Sequence, residues 1–321
     1  MSKAKCGEGC GRPQGWSKWP SHLFAECRGS ELRMELRAKP SKADFRELDA
    51  WGMAYLAYLA EKSPGLVKSI TFSLPASASE DGPTIEALRR RLSFLAAVNP
   101  AYSFTVALHS ESVPLYTLDE LFNRKKSGEV VRKAFGKRGD KDKQDYLEKA
   151  LQTFLYGRGM SGTDDPAVKR PNDRLAILGE DFYQVKGKSM GVIREFPTGA
   201  FLGEVKEAYR VMPTEYVDLV SADRSGRLAV IELKLDDPKL EVLSQLLDYA
   251  LFFRCYRDDL KGILAEKLGK CPSMKPFTAY VVNNHYHPRF DEAAKLYKAN
   301  EEDHGFTLVK LTLGYRESIG G

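Results

Sequence analysis

The chain has 321 residues, 43% of them hydrophobic and 29% charged, with a formal net charge of +5. That length suits two domains of ordinary size, and that composition excludes a largely disordered chain. No apolar run approaches the ~20 residues of a membrane helix, the first residues lack the apolar core of a signal peptide, and five thinly spread cysteines do not make a secreted disulfide framework, so a cytoplasmic location is expected.

Residues 1–29 read as an irregular segment rich in Gly, Ser, Lys and Trp. Cys6, Cys10, His22 and Cys27 lie together there and could close a tetrahedral Zn²⁺ site. Their spacing matches no standard finger, and incidental cysteines in a tail are the plainer reading.

Residues 30–115 alternate between strand and helix patterns. ELRMELRA (31–38), VKSITFSL (67–74) and YSFTVALH (102–109) read as strands. Residues 42–61 read as a helix with Phe45, Leu48, Trp51, Met53, Leu56 and Leu59 as core candidates, and 84–98 as a second helix. This β-α-β-α-β order predicts a smaller N-terminal α/β domain. It carries no residue that looks catalytic, and His109 at a strand end reads as structural. The unit suits dimerisation as a homodimer, substrate selection or partner binding.

Residues 116–170 read as a basic helical linker. Residues 123–143 hold nine Lys/Arg against three acids. Such a run is either a solvated segment or an arm that tracks phosphates, with Arg132, Lys133, Lys137 and Arg138 as its nucleic-acid contacts. Residues 145–156 then read as a short amphipathic helix.

Residues 171–321 form the fourth region. A helix is expected at 172–182 and an amphipathic strand at 199–212. YVDLVS (216–221) and residues 227–235 form a hairpin about a turn at 223–226. Alternate residues of a strand share a face. Ala229, Ile231, Leu233 and Leu235 therefore make an apolar face, while Val230, Glu232 and Lys234 make the other. An acid and a base at the end of a buried strand are costly unless paired or holding a metal. The hairpin puts Asp218 on the strand next to Glu232. Residues 238–254 read as a helix on which Gln245 and Tyr249 stand one turn apart. FTAYVVN (277–283) reads as a buried strand parallel to 229–235, followed by a helix at 291–299 and a strand at 306–313. His285 and His287 fall in a loop after a strand end and read as polar loop residues.

The order Asp218, Glu232-x-Lys234, Gln245-x3-Tyr249 resembles the PD-(D/E)xK nuclease superfamily, and the QxxxY helix resembles its RecB-like branch. The hairpin YVDLVSADRSGRLAVIELK is similar to the nuclease domain of the NucS/EndoMS group. The resemblance covers roughly the last 150 residues. It implies a restriction-endonuclease-like αβββαβ core and a Mg²⁺- or Mn²⁺-dependent nuclease. The implied partner is nucleic acid, DNA first, in repair, restriction or phage defence. It implies Asp218, Glu232 and the Leu233 carbonyl as metal ligands. It adds a glutamate from the helix before the first core strand, for which Glu180 is the first candidate and Glu195 the second. Lys234 would orient or activate the attacking water, and Gln245 and Tyr249 would position Lys234 or a phosphate. Two carboxylates on adjacent strands can hold Mg²⁺ and leave its other positions for water and phosphate oxygens, and a lysine can offset developing charge. The competing reading is a catalytically idle nuclease fold that binds nucleic acid or mediates assembly. No GxxxxGK[ST] loop is present to support NTP hydrolysis.

Overall fold

The computed structural model describes residues 16, 18–37, 42–75, 77–78, 82–108, 111–123, 128–131, 146–156, 173–183 and 190–313. The chain is mixed α/β. β1 (Leu23–Arg28) and β2 (Glu31–Leu36) form a hairpin that turns at Gly29, whose φ of +59° favours glycine. α1 (Lys42–Lys62), β3 (Ser69–Leu74), α2 (Pro83–Val98), β4 (Ser103–Leu108) and β5 (Glu111–Val113) follow. They make a five-stranded sheet, β1-β2-β3-β4-β5, with β2, β3 and β4 parallel. All six core candidates of α1 are buried. β1 falls in the segment expected to be irregular. Only Leu23 and Ala25 of this strand are buried, so its periodicity is weak and pairing with β2 holds it.

α3 (Leu118–Phe122) starts at a capping box in which Thr117 and Glu120 satisfy each other's backbone N–H groups. β6 (Glu129–Val131) lies within the stretch expected to be helical and pairs with β8 of the next region. α4 (Tyr146–Tyr156) is the amphipathic helix expected there.

The remaining elements are β7 (Ile193–Pro197), β8 (Ala200–Leu202), β9 (Arg210–Met212), β10 (Tyr216–Ala222), β11 (Arg227–Leu233), α5 (Val242–Cys255), α6 (Arg257–Leu268), β12 (Ser273–Asn283), α7 (Phe290–Ala294), α8 (Glu301–His304) and β13 (Phe306–Thr312). They build a second five-stranded sheet, β13-β12-β11-β10-β7, in which β11, β12 and β13 are parallel while β10 is antiparallel to both β7 and β11. A small sheet, β6-β8-β9, completes the set. Two local expectations differ. Residues 173–182 form two 3-10 turns, Asp173–Leu178 and Glu180–Phe182, because Gly179 at φ +126° breaks the run. Residues 199–212 fold back as the β8–β9 hairpin, with Gly203 at φ +78° just past β8.

The strand alternation sorts β11 between two cores. Ala229, Ile231 and Leu233 join Leu219, Tyr280 and Val282 against Leu155 of α4 and Leu175, Leu178 and Phe182. Leu228 and Val230 face the other way, into a cluster that includes α5 and runs without a break from Trp16 to Phe306. The N-terminal sheet and the second sheet thus share one apolar core, with α5 packed against α1 and α2. Truncating the fully buried Ile231 to Ala would cost about 2–5 kcal/mol. No helix among the described residues is long and apolar enough to cross a membrane.

Candidate active site at the open end of β10 and β11

The ladder between β10 and β11 closes at Leu219 opposite Ile231. One step further along the two strands come Asp218 and Glu232, both buried and near enough for the charge of one to act on the other. Here a side chain replaces the ladder. Asp218 Oδ2 accepts the Leu233 N–H at 2.8 Å, and its Oδ1 accepts from Gln152 Nε2 at 3.1 Å. On the other side of β11, the Lys234 N–H donates to the Val282 carbonyl at 2.8 Å, so the strand end stays tied to β12.

Glu232 Oε1 lies 2.8 Å from Lys234 Nζ, whereas Oε2 is buried with no hydrogen-bond partner among the described residues. Burial, and then the neighbouring Asp218 charge, push the Glu232 carboxyl well above the usual carboxylate range. Lys234 Nζ also donates to the Leu233 carbonyl at 3.0 Å and lies 3.5 Å from Glu148 Oε1. Burial alone would lower the lysine. The charges of Glu232, Asp218 and Glu148 more than reverse that and hold it as an ammonium. Glu232 and Glu148 therefore lie against the Lys234 ammonium, and the Asp218 charge acts on it as well.

On α5, Gln245 Nε2 donates to Tyr249 Oη at 2.7 Å, and that hydroxyl donates to the Tyr216 carbonyl at 3.0 Å. Burial, and then the charge of Glu232, raise the Tyr249 phenol, so it stays protonated. The pair is thus fastened to the start of β10, beside the acids.

The structure brings Asp218, Glu232, Leu233, Lys234, Gln245 and Tyr249 to one end of the sheet. Glu180 is not among them. It is exposed, and its neighbour Asp181 accepts from the backbone N–H of Arg224, in the turn at the far end of the hairpin. Glu195 lies on β7 with φ +53°, between Arg194 and Phe196, which stand opposite Leu219 and Val217. That places it level with Asp218 on the neighbouring strand. The helix glutamate beside the lysine is Glu148 of α4, accompanied one turn on by Gln152. A Glu-x3-Gln spacing on an amphipathic helix puts both on one face, and that was the available signal. It is weak because the helix lies some 66 residues from Asp218 in sequence.

The other candidate residues lie elsewhere. Arg132, Lys133, Lys137 and Arg138 are outside the described residues, as are Cys6, Cys10 and His109. His22 Nε2 is 2.8 Å from Glu47 Oε2, and Cys27 is a half-buried thiol on β1. His285 is exposed. His287 packs edge-on against Trp51, and burial lowers it to about 4.

Among the described residues no three His, Cys, Asp or Glu side chains form a ready-made metal cage. Mg²⁺ does not require one, since it keeps several waters and takes one or two carboxylates. The donors at this strand end are hard oxygens, and one of them, Glu232 Oε2, has no hydrogen-bond partner among the described residues. Lys234 Nζ contacts the Glu232 carboxylate and the Leu233 carbonyl, so an ammonium stands where cation-binding oxygens converge. The residues fit a divalent ion.

No family model matches the chain, and no solved structure matches it. Endonuclease NucS of Sulfolobus acidocaldarius is 30% identical over 112 residues, an alignment covering 30% of this chain and 45% of that protein. The chain thus spans less than half the length of this curated relative, and its likeness is to part of an endonuclease.

Proposed function

We propose that the chain is a divalent-metal-dependent nuclease of the PD-(D/E)xK type, with α4, β7, β10, β11, α5 and β12 as its restriction-endonuclease-like core. DNA is the proposed substrate, in repair, restriction or phage defence. The observation that carries this reading is the buried pair Asp218 and Glu232 at the adjoining ends of β10 and β11, each within reach of the other's charge. It places excess negative charge against the Lys234 ammonium, with one Glu232 oxygen left without a hydrogen-bond partner among the described residues. A fold held for stability alone gains little from such a pair. The similarity to an endonuclease supports the same reading.

Asp218, Glu232 and the Leu233 carbonyl would hold Mg²⁺ or Mn²⁺, with Glu148 as the further carboxylate. When bound, the ion supplies positive charge for phosphate oxygens and acidifies water. The chain's own residues do the rest. The Leu233 N–H and Gln152 fix the Asp218 carboxylate. Lys234 is protonated in this arrangement, so it serves as a cation that orients water and offsets charge on the phosphate rather than as a base. Gln245 and Tyr249 set the distance between α5 and β10.

The test is incubation of the pure protein with plasmid, linear and single-stranded DNA and with RNA, in Mg²⁺, Mn²⁺ or EDTA. Cleavage that needs the ion and disappears in Glu232→Gln is expected. Cleavage that persists in EDTA would overturn the reading, and binding without cleavage under every condition would favour the idle fold.

A further inference from the structure

We infer that Arg46, Asp49 and Arg91, all from the N-terminal half, are positioning residues for the candidate site. They set α5 and the start of β10 in the register that places Tyr249 beside Glu232. The inference rests on the nuclease reading for its kinetic test but not for its structural one.

The argument starts from a buried ionic network. Arg91 is almost fully buried on α2. Its Nε and Nη2 donate to Asp49 at 2.9 and 2.8 Å, and its Nη1 donates to both oxygens of Asp248 at 2.9 and 2.8 Å. Asp49 Oδ2 also accepts from Ser244 Oγ at 2.8 Å. Arg46 reaches Asp248 Oδ2 through Nε and Glu215 Oε2 through Nη2, each at 3.4 Å. Two helices of the N-terminal half, α1 and α2, thus grip α5 and the residue that precedes β10.

The grip falls at telling positions. Gln245, Tyr249 and the Tyr216 carbonyl form one hydrogen-bond chain at the site. Ser244, Asp248 and Glu215 are the immediate chain neighbours of those three residues. Each member of the chain is therefore held, one residue away, by a group from the N-terminal half. On α5, Ser244 and Asp248 are a turn apart, as are Gln245 and Tyr249, so the helix carries a clamped stripe beside the stripe that meets β10. A rotation of α5 that relaxed the ionic contacts would move Tyr249 off Tyr216 by the same angle. Stability alone does not call for this design, since a buried ion network is often no more stabilising than apolar packing of the same volume. Fixed orientation is what forked guanidinium–carboxylate contacts provide. Displacing a reacting group by about 1 Å costs on the order of a hundredfold in rate.

The test uses full-length Arg46→Gln and Ser244→Ala, with Arg46→Lys as the conservative control. The measurements are kcat and KM on the DNA substrate, the Mn²⁺ dissociation constant, and the 19F resonance of Tyr249 in 3-fluorotyrosine-labelled protein, assigned with Tyr249→Phe. Arg46→Gln is expected to lower kcat about tenfold or more, with KM and Mn²⁺ affinity within about twofold, and to shift the Tyr249 resonance. Ser244→Ala should do the same more weakly, and Arg46→Lys should recover part of kcat. Folded variants with wild-type kcat and an unmoved Tyr249 resonance would overturn the inference, as would a kcat loss with that resonance unmoved. If Arg46→Gln does not fold, Ser244→Ala decides by the same readouts. Should the wild type cleave nothing, the nuclease reading falls, and the Tyr249 resonance still decides the positioning.

Discussion

Asp218 stands in for backbone. Its Oδ2 receives the Leu233 N–H at 2.8 Å, at the step where the β10–β11 ladder has ended. An asparagine can accept that bond through its amide oxygen, but its amide nitrogen then faces the Gln152 donor, so the Gln152 bond is the one lost. Asp218→Asn should therefore fold with a loss of about 1 kcal/mol, yet bind Mn²⁺ at least tenfold more weakly and cleave nothing. Chemical denaturation and calorimetric titration check the two halves separately. Retained Mn²⁺ affinity would remove Asp218 from the ligand set.

Glu232 gives a pH signature. Its folded pKa is raised, by burial first and by Asp218 second. A carboxyl of this kind stabilises the fold at pH below its unfolded value of about 4.3, and that contribution is lost as pH rises through the folded value. The metal-free protein should therefore lose stability from this group above about pH 4.3, and Glu232→Gln should lose less. Mg²⁺ binds the ionised form, so its gain in Tm should grow with pH in the wild type and vanish in Glu232→Gln. A Mg²⁺ gain independent of pH would contradict this.

Lys234 both neutralises the acids and lies on the oxygens a metal would use. Lys234→Ala is expected to abolish cleavage while Mn²⁺ binds at least as tightly as in the wild type, because no ammonium then competes for Glu232 and Leu233. Calorimetry on the variant measures this. Weaker Mn²⁺ binding would mean the lysine supports the ion rather than displacing it.

Glu148 and Glu180 can be separated by one comparison. Glu148 is 3.5 Å from Lys234, whereas Glu180 is exposed beside the far turn. Glu148→Gln should lower kcat at least tenfold, and Glu180→Gln should leave it within about twofold, on the scale expected for general acid–base and charge effects. Equal effects from the two would argue against a role for α4.

In sequence, Arg132, Lys133, Lys137 and Arg138 fall between β6 and α4, the helix that carries Glu148. If this basic segment tracks phosphates, neutralising Arg132, Lys133, Lys137 and Arg138 together should weaken binding to all sequences alike and flatten the dependence on salt by up to about four units of slope. Binding measured across a salt series checks it, and an unchanged slope would return the segment to a solvated linker.

The sequence by itself determined the local geometry of the strand end. Period-two alternation in residues 227–233 assigns Glu232 to one face and Ile231 and Leu233 to the other, because a pleated strand allows nothing else. A short turn at 223–226 then pairs Leu219 with Ile231 and so brings Asp218 near Glu232, and a four-residue step on a helix stacks Gln245 under Tyr249. These are relationships over a few residues, fixed by backbone geometry. Tertiary structure alone decided which helix brings a glutamate to Lys234 and what holds α5. Gln152 meets Asp218 across 66 residues, and Arg91 meets Asp248 across 157. Glu180 sits nearer in sequence to the first core strands than Glu148 does. Gly179 breaks its helix, however, and leaves it exposed beside the hairpin's far turn. Contacts between distant segments follow from which apolar faces pack together, and packing carries no period along the chain.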